Sequence, residues 1–187
     1  MANKYLDTTI IDKAIIFATN KHHNSERRDK GIPYIIHPLE VMSIVSTITK
    51  DPEIIAASVL HDTVEDTDTT FEEIEKEFGE RVTEIVKKET VFDDGTRPWR
   101  ERKGNSINNV KNGSIESKIV ALGDKLSNLR AIHMDYIDIG DKLWERFHCK
   151  NKKDVEWYYI SMAEALSELK DTHAYKEYIE LLDKTFK

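Results

Sequence analysis

Cysteine is almost absent: Cys149 is the only one among 187 residues. No disulfide framework can form within the chain, which favours a reducing compartment. Long apolar runs are missing too. Nothing approaches the ~20 residues that a membrane-spanning helix needs. The first stretch, MANKYLDTTIIDKAIIFATN, carries charges among its apolar residues and has no signal-peptide core. The expected setting is therefore cytoplasmic, with no membrane partner. Positive charge is not in excess: 28 Lys+Arg against 35 Asp+Glu give a net charge of −7. That balance argues against broad nucleic-acid binding, which needs a positive field, but it leaves room for a small phosphorylated ligand. Alternating strand patterns, internal repeats, low-complexity tracts and linkers are also lacking. The expectation is one all-α domain over residues 1–187, long enough to bury its own core.

Helical spacing is what the sequence does have. Ile11, Ala14, Ile15 and Ala18 recur at helix intervals behind Asp7, Thr8 and Thr9, which can cap. Pro38 sits where a helix can begin, with Val41, Met42, Val45 and Ile48 as a stripe behind it. Asp51-Pro52-Glu53 opens another helix that runs to His61. Thr70-Phe71-Glu72-Glu73 is a capping-box pattern and Gly79 a plausible stop, followed by a short amphipathic helix through Val82, Ile85 and Val86. From Phe92 to Gly113 the apolar period fades among Gly95, Pro98, Gly104 and Gly113, so this segment reads as mostly loop with one short helix at best. A long helix starts near Ser114, and two more fill the part from about Asp154 to Leu182.

The strongest local signal is Leu60-His61-Asp62-Thr63-Val64-Glu65-Asp66-Thr67, where polar, mostly ionisable groups abruptly follow an apolar helix. Imidazole and carboxylate together suit a divalent ion such as Mn²⁺, Fe²⁺ or Zn²⁺. Adjacent helical residues diverge by about 100°. His61 and Asp62 can therefore grip one ion most easily at a helix end, where the backbone bends away. Further ligands must come from elsewhere. His37 is fixed by the proline after it, and Asp124 lies inside an otherwise apolar stretch where a lone carboxylate is costly. Plainer readings stay open on spacing alone. Asp124 could face solvent or pair with Lys125 or Arg130, and His37 could cap a helix. The basic clusters Arg27, Arg28, Lys30 and Arg97, Arg100, Arg102, Lys103 read first as solvated loops.

Three segments in order carry a more specific pattern. They are His23-Asn-Ser-Glu-Arg-Arg28-Asp-Lys-Gly31-Ile-Pro33-Tyr34-Ile35-Ile-His37-Pro38, then Leu60-His61-Asp62-Thr-Val-Glu65-Asp66-Thr67, then Gly123-Asp124-Lys125-Leu126-Ser-Asn128. Together they resemble the HD superfamily of metal-dependent phosphohydrolases, whose pattern is H…HD…D. They look most like its Rel/Spo hydrolase domains and stand-alone small alarmone hydrolases. The resemblance implies an HD-type helical fold and one divalent ion, expected to be Mn²⁺, held by His37, His61, Asp62 and Asp124. It implies Glu65 and Asp66 as the acidic pair that handles the attacking water. Their spacing agrees with this, because each lies four residues after a ligand, His61 or Asp62. Arg28 matches the arginine that stacks on guanine, and Lys30, Tyr34, Lys103 and Asn128 are the further candidate nucleotide contacts.

The chain departs from the pattern at two places. Ser25-Glu26 stands for Gly-Gln, putting a carboxylate near the expected polyphosphate. Ala131 stands where long Rel/Spo proteins usually carry a hydroxyl. The implied activity is removal of the 3′-pyrophosphate of ppGpp or pppGpp, giving GDP or GTP. The alternatives are an HD phosphohydrolase acting on another nucleotide, such as the 2′-phosphate of NADPH, and a nucleotide sensor without turnover. The intact Glu65-Asp66 pair argues against the sensor. Oligomeric state is not legible in the sequence.

Overall fold

In the computed structural model, which describes residues 8–27, 30–91 and 96–187, the described residues form helices and no strand. The one β feature among them is an isolated antiparallel bridge between Glu26 and Pro33. The helices are α1 (Thr9–Lys21), α2 (Ile36–Val45), α3 (Pro52–Leu60), α4 (Thr63–Asp66), α5 (Phe71–Phe78), α6 (Glu80–Glu89), α7 (Trp99–Lys111), α8 (Ile115–Ile139), α9 (Lys152–Ala165) and α10 (His173–Phe186). Tighter 3₁₀ turns follow α8 at Gly140–Arg146 and α9 at Ser167–Leu169. The all-helical expectation holds, and no described helix is long and apolar enough to cross a membrane.

Local chemistry explains the boundaries. Asp51 accepts a hydrogen bond from the Glu53 N–H, and Pro52 occupies the first helical position, where no N–H is needed. Thr70 and Ser114 cap α5 and α8 in the same way, accepting from the Glu73 and Ser117 N–H groups. Gly79 ends α5 at φ 85°, a left-handed value that disfavours any residue with a Cβ. Every residue of α3 from Ile54 to Leu60 is buried, so this helix is central rather than amphipathic. It packs against α1, α2, α6 and α8. Helix α8 runs alongside α2 and α10, and α9 bridges α7 and α10.

One expectation needs correcting. The segment read as mostly loop contains α7, a full helix over Trp99–Lys111; Phe92 to Gly95 lie outside the described residues. Periodicity missed this helix because it buries a single residue, Val110. It docks on α9 through Trp99, whose ring centre lies 6.2 Å from that of Tyr158, and through cations laid over aromatic rings. The Arg100 guanidinium lies 4.3 Å from the Trp157 ring centre, and the Lys103 ammonium 5.0 Å from that of Tyr158. Arg100 also reaches the Asp154 carboxylate at 2.6 Å.

Gly123 marks a close approach of α8 to α2. A Cβ built on it would stand 2.8 Å from Val45 Cγ2 and 3.1 Å from Val41 Cγ1, both on α2. Contact at that distance forces α2 and α8 apart, and these helices carry His37 and Asp124. Gly123→Ala is therefore expected to destabilise the protein. Overpacking costs about 1–3 kcal/mol, and the better helix propensity of alanine offsets roughly 1 kcal/mol of that. Urea unfolding of parent and variant checks it; a variant as stable as the parent contradicts the close approach.

Candidate active site

Four chain segments converge at one end of α3. His37 sits in the first turn of α2, His61 at the C-terminal end of α3, Asp62 at the start of α4, and Asp124 midway along α8. The bend between α3 and α4 lets the adjacent His61 and Asp62 face the same point. His61 Nε2 lies 3.0 Å from Asp62 Oδ2 and 3.8 Å from Asp124 Oδ1. His37 Nε2 lies 3.2 Å from Asp124 Oδ1 and 3.6 Å from Asp62 Oδ2. The sequence predicts these four residues as one group, and the fold brings them together.

The electrostatics of the cluster call for a cation. Burial works against a charged His61, yet Asp62 and Asp124 outweigh it and push the imidazole pKa up to about 9. Burial likewise opposes ionisation of Asp124, but Lys125, His37 and His61 hold its carboxyl well below the usual range. Asp62 is held down in the same manner, chiefly by His61. The His61 Nδ1–H donates to the Ser58 carbonyl at 2.8 Å, while its Nε2 is buried without a hydrogen-bond partner. Nε2 of His61, a ring nitrogen of His37 and a carboxylate oxygen of Asp62 come within 4.8 Å of one another. Such a set of nitrogen and oxygen donors fits a divalent ion of the Mn²⁺, Fe²⁺ or Zn²⁺ kind.

The cluster forms the floor of a cleft of about 430 Å³. A second cavity, also of about 430 Å³, adjoins it. Arg27, Tyr34, Asp66, Lys103, Asn128 and Tyr158 line both. Glu65 lines the inner cleft, and its carboxylate accepts from the Val91 N–H at 3.2 Å. Loss of hydration, then Asp62 and Asp66, raise its pKa, with the Val91 hydrogen bond opposing. Burial first, and then repulsion by Lys125, pushes the Lys103 ammonium down to about 8. Asn128 donates to Asp124 and accepts from Arg27. Lys30 lines the outer cavity, paired with Asp135. Tyr34 does more than line the cavities, because its hydroxyl donates to Asp62 Oδ2 at 2.6 Å.

Some expectations fall elsewhere. Arg28 lies outside the described residues. Its neighbour Arg27 lines both cavities, its guanidinium 5.8 Å from the Tyr34 ring centre. Glu26 lines neither cavity; its carboxylate accepts from the Gly31 N–H at 2.9 Å and closes the local turn. Arg100 and Arg102 line neither cavity, whereas Ala131 lines the outer one. Lys125 pairs with Asp124, one of the plainer readings open on spacing, and lines the inner cleft together with Glu89, which the sequence did not single out. Burial pushes the Glu89 carboxyl up to about 8 against the pull of Lys125. Arg146, on the outer wall and 3.7 Å from Asp135, had no signal in the sequence.

Comparison with known proteins places this site in a family. The profile of the HD domain matches residues 14–139. The chain belongs to the HD domain family. It is 45% identical over 130 residues to the guanosine-3′,5′-bis(diphosphate) 3′-pyrophosphohydrolase MESH1 of Danio rerio, covering 67% of this chain and 71% of that protein. It is 38% identical over 125 residues to the guanosine-3′,5′-bis(diphosphate) 3′-pyrophosphohydrolase of Aquifex aeolicus, covering 65% of this chain but 18% of that one. Among solved structures, one described as a metazoan ortholog of SpoT that hydrolyzes ppGpp superposes with a TM-score of 0.75 at 27% identity, covering 97% of this chain and 98% of that chain.

The Tyr34 hydroxyl leads to a simple test. Tyr34→Phe removes the donor to Asp62 and leaves the ring in place. Mn²⁺ affinity, measured by titration calorimetry, is expected to fall roughly 10-fold, the usual scale for losing a hydrogen bond to a metal-ligating group. Unchanged affinity would show that Asp62 needs no such support.

Proposed function

We propose that this chain hydrolyses the 3′-pyrophosphate of ppGpp and pppGpp, consuming one water and releasing pyrophosphate with GDP or GTP. The observation that carries this reading is the adjacency of the two cavities. An outer chamber with aromatic and cationic walls shares six lining residues with an inner cleft that includes the His/Asp cluster. A nucleoside seated in the outer chamber directs its 3′-diphosphate inward. The named activity of the MESH1 relatives, which share this family, supports the same substrate.

His37, His61, Asp62 and Asp124 are the residues that would hold one divalent ion, and Mn²⁺ suits them. When bound, the ion supplies a Lewis acid that acidifies water and draws charge from phosphoryl oxygens. The protein's own groups do the rest. Glu65 and Asp66 stand at the cleft wall one helical turn from the His61-Asp62 pair. The raised pKa of Glu65 makes it a better proton acceptor than an ordinary carboxylate, so it takes a proton from the attacking water. Lys103 places its ammonium where charge builds on the diphosphate. Arg27 offers a planar guanidinium to base or phosphate, and Asn128 ties that arginine to Asp124. Lys30 is a further contact on the outer wall, and Arg28 is retained as a candidate on the motif alone. A cytoplasmic setting fits a nucleotide substrate and a single cysteine.

Product analysis tests the reading. Metal-loaded protein incubated with ppGpp should release pyrophosphate and GDP in equal amounts. Orthophosphate from NADPH or a mononucleotide, with ppGpp left intact, would move the substrate to another nucleotide. The acidic pair is tested separately by Glu65→Gln and Asp66→Asn. Each should retain the ion and the fold while turnover falls about 10²-fold or more, the scale of general acid–base assistance. Full metal content with near-normal turnover would remove the pair from the mechanism.

Lys103 sets a pH dependence. Its ammonium is charged below about pH 8 and neutral above it. The free enzyme therefore loses a phosphate-binding cation as pH rises, and kcat/KM for ppGpp should decline above about pH 8. Bound phosphate favours the charged form, so the decline in kcat should lie at higher pH than that in kcat/KM. In Lys103→Arg the guanidinium stays charged, and this alkaline limb should vanish. An identical limb in the variant would assign it to another group.

A further inference from the structure

His61 and His37 are oriented by different means. The Nδ1–H of His61 meets a backbone carbonyl, that of Ser58, which can only accept. Its Nε2 is thereby left with a bare lone pair in the neutral ring. His37 has no such backbone partner among its hydrogen bonds. Its Nδ1 lies 2.8 Å from Ser127 Oγ, and a hydroxyl can donate or accept. What decides is the next group along. Ser127 Oγ lies 2.8 Å from Glu40 Oε2, and Glu40 Oε1 lies 2.9 Å from Arg130 Nη1. A carboxylate paired with a guanidinium is an acceptor only, so the Ser127 proton must point to Glu40. The lone pairs of Ser127 then face His37, and only an Nδ1–H fits them.

We propose that Ser127 and Glu40 are positioning residues that lock His37 in the tautomer presenting Nε2 to the His/Asp cluster. This rests on the proposal that the cluster holds a divalent ion. The placement is regular. Glu40 stands three residues after His37 on α2, and Ser127 three after Asp124 on α8, so each ligand-bearing helix supplies one support on the same face. Ser127 is 1% exposed and His37 4% exposed, so their contact is shielded from water, whereas the Glu40 side chain at the outer end is 36% exposed. Arg130 is itself held from α10, where Glu177 takes its Nε and Nη2 at 2.7 and 2.8 Å. Support for His37 thus runs outward from the cleft to the last helix.

The test is a Mn²⁺ titration by calorimetry on the whole protein, parent against Ser127→Ala, Glu40→Ala and the double variant, with circular dichroism to verify folding. Ser127→Ala and Glu40→Ala should each weaken Mn²⁺ binding by roughly 10- to 100-fold, the range found when support of a metal-ligating histidine is removed. Because Glu40 acts through Ser127, the double variant should bind within about 2-fold of Ser127→Ala. If Glu40→Ala does not fold, Glu40→Gln keeps its size; its amide can donate to Ser127 and free the hydroxyl to turn, so binding should again weaken. Parent-like affinity in the variants, or losses that multiply in the double variant, would overturn the relay and leave the metal site standing. A parent protein that takes up no Mn²⁺ would overturn the metal site and the relay together.

Discussion

A carboxylate within the buried stretch of a long helix governs this molecule. Asp124 is flanked along α8 by buried Val120, Ala121, Leu122 and Leu126 and is itself 7% exposed. An uncompensated charge there would cost several kcal/mol. Compensation comes from every side: Lys125 and Asn128 on its own helix, His37 from α2 and His61 from the end of α3. Asp62 adds a second negative charge, and the two carboxylates together demand positive charge, which Lys125 and the His61 imidazole, with its raised pKa, also supply. A divalent ion meets that demand with the donor atoms already facing inward.

Holding these groups together fixes much of the architecture. Helices α2 and α8 must approach closely enough to bring His37 to Asp124, and the glycine at 123 leaves room for it. Helix α3 must end at His61 so that the chain can turn and present Asp62. The outer wall tolerates looser design. It is assembled from α7 and α9 by cation–aromatic contacts and from ion pairs such as those of Asp135 with Lys30 and Arg146. These cations are partly committed to protein partners, yet they line the chamber where a polyphosphate would sit.

How much of this was legible in the sequence depended on the physical origin of each feature. The clustering of His37, His61, Asp62 and Asp124 was readable through the resemblance to the H…HD…D pattern, and because His61-Asp62 stands at the abrupt end of an apolar run. Central helices were readable because burial imposes a period. Helix α7 was not, since its few apolar residues, Trp99, Ile107 and Val110, are widely spaced and the rest of its contact with α9 is made by cations over Trp157 and Tyr158. Arg27 was not singled out because the loop before Gly31 has no helical or strand period, so nothing in the spacing shows that its side chain reaches the cavities, while Arg28 lies outside the described residues. The support for His37 was invisible for another reason. Glu40 and Ser127 are ordinary polar residues 87 positions apart, and only the packing of α2 on α8 makes them partners.

The most direct test of the central constraint is an anomalous-scattering map from crystals grown with Mn²⁺. One peak is expected, about 2.0–2.3 Å from Nε2 of His37, Nε2 of His61 and one carboxylate oxygen each of Asp62 and Asp124, the range for nitrogen and oxygen ligands of such ions. Glu65 and Asp66 should stand beside it without binding it directly. A peak at another position, with the four side chains turned apart, would contradict a cation as the element around which the fold is organised.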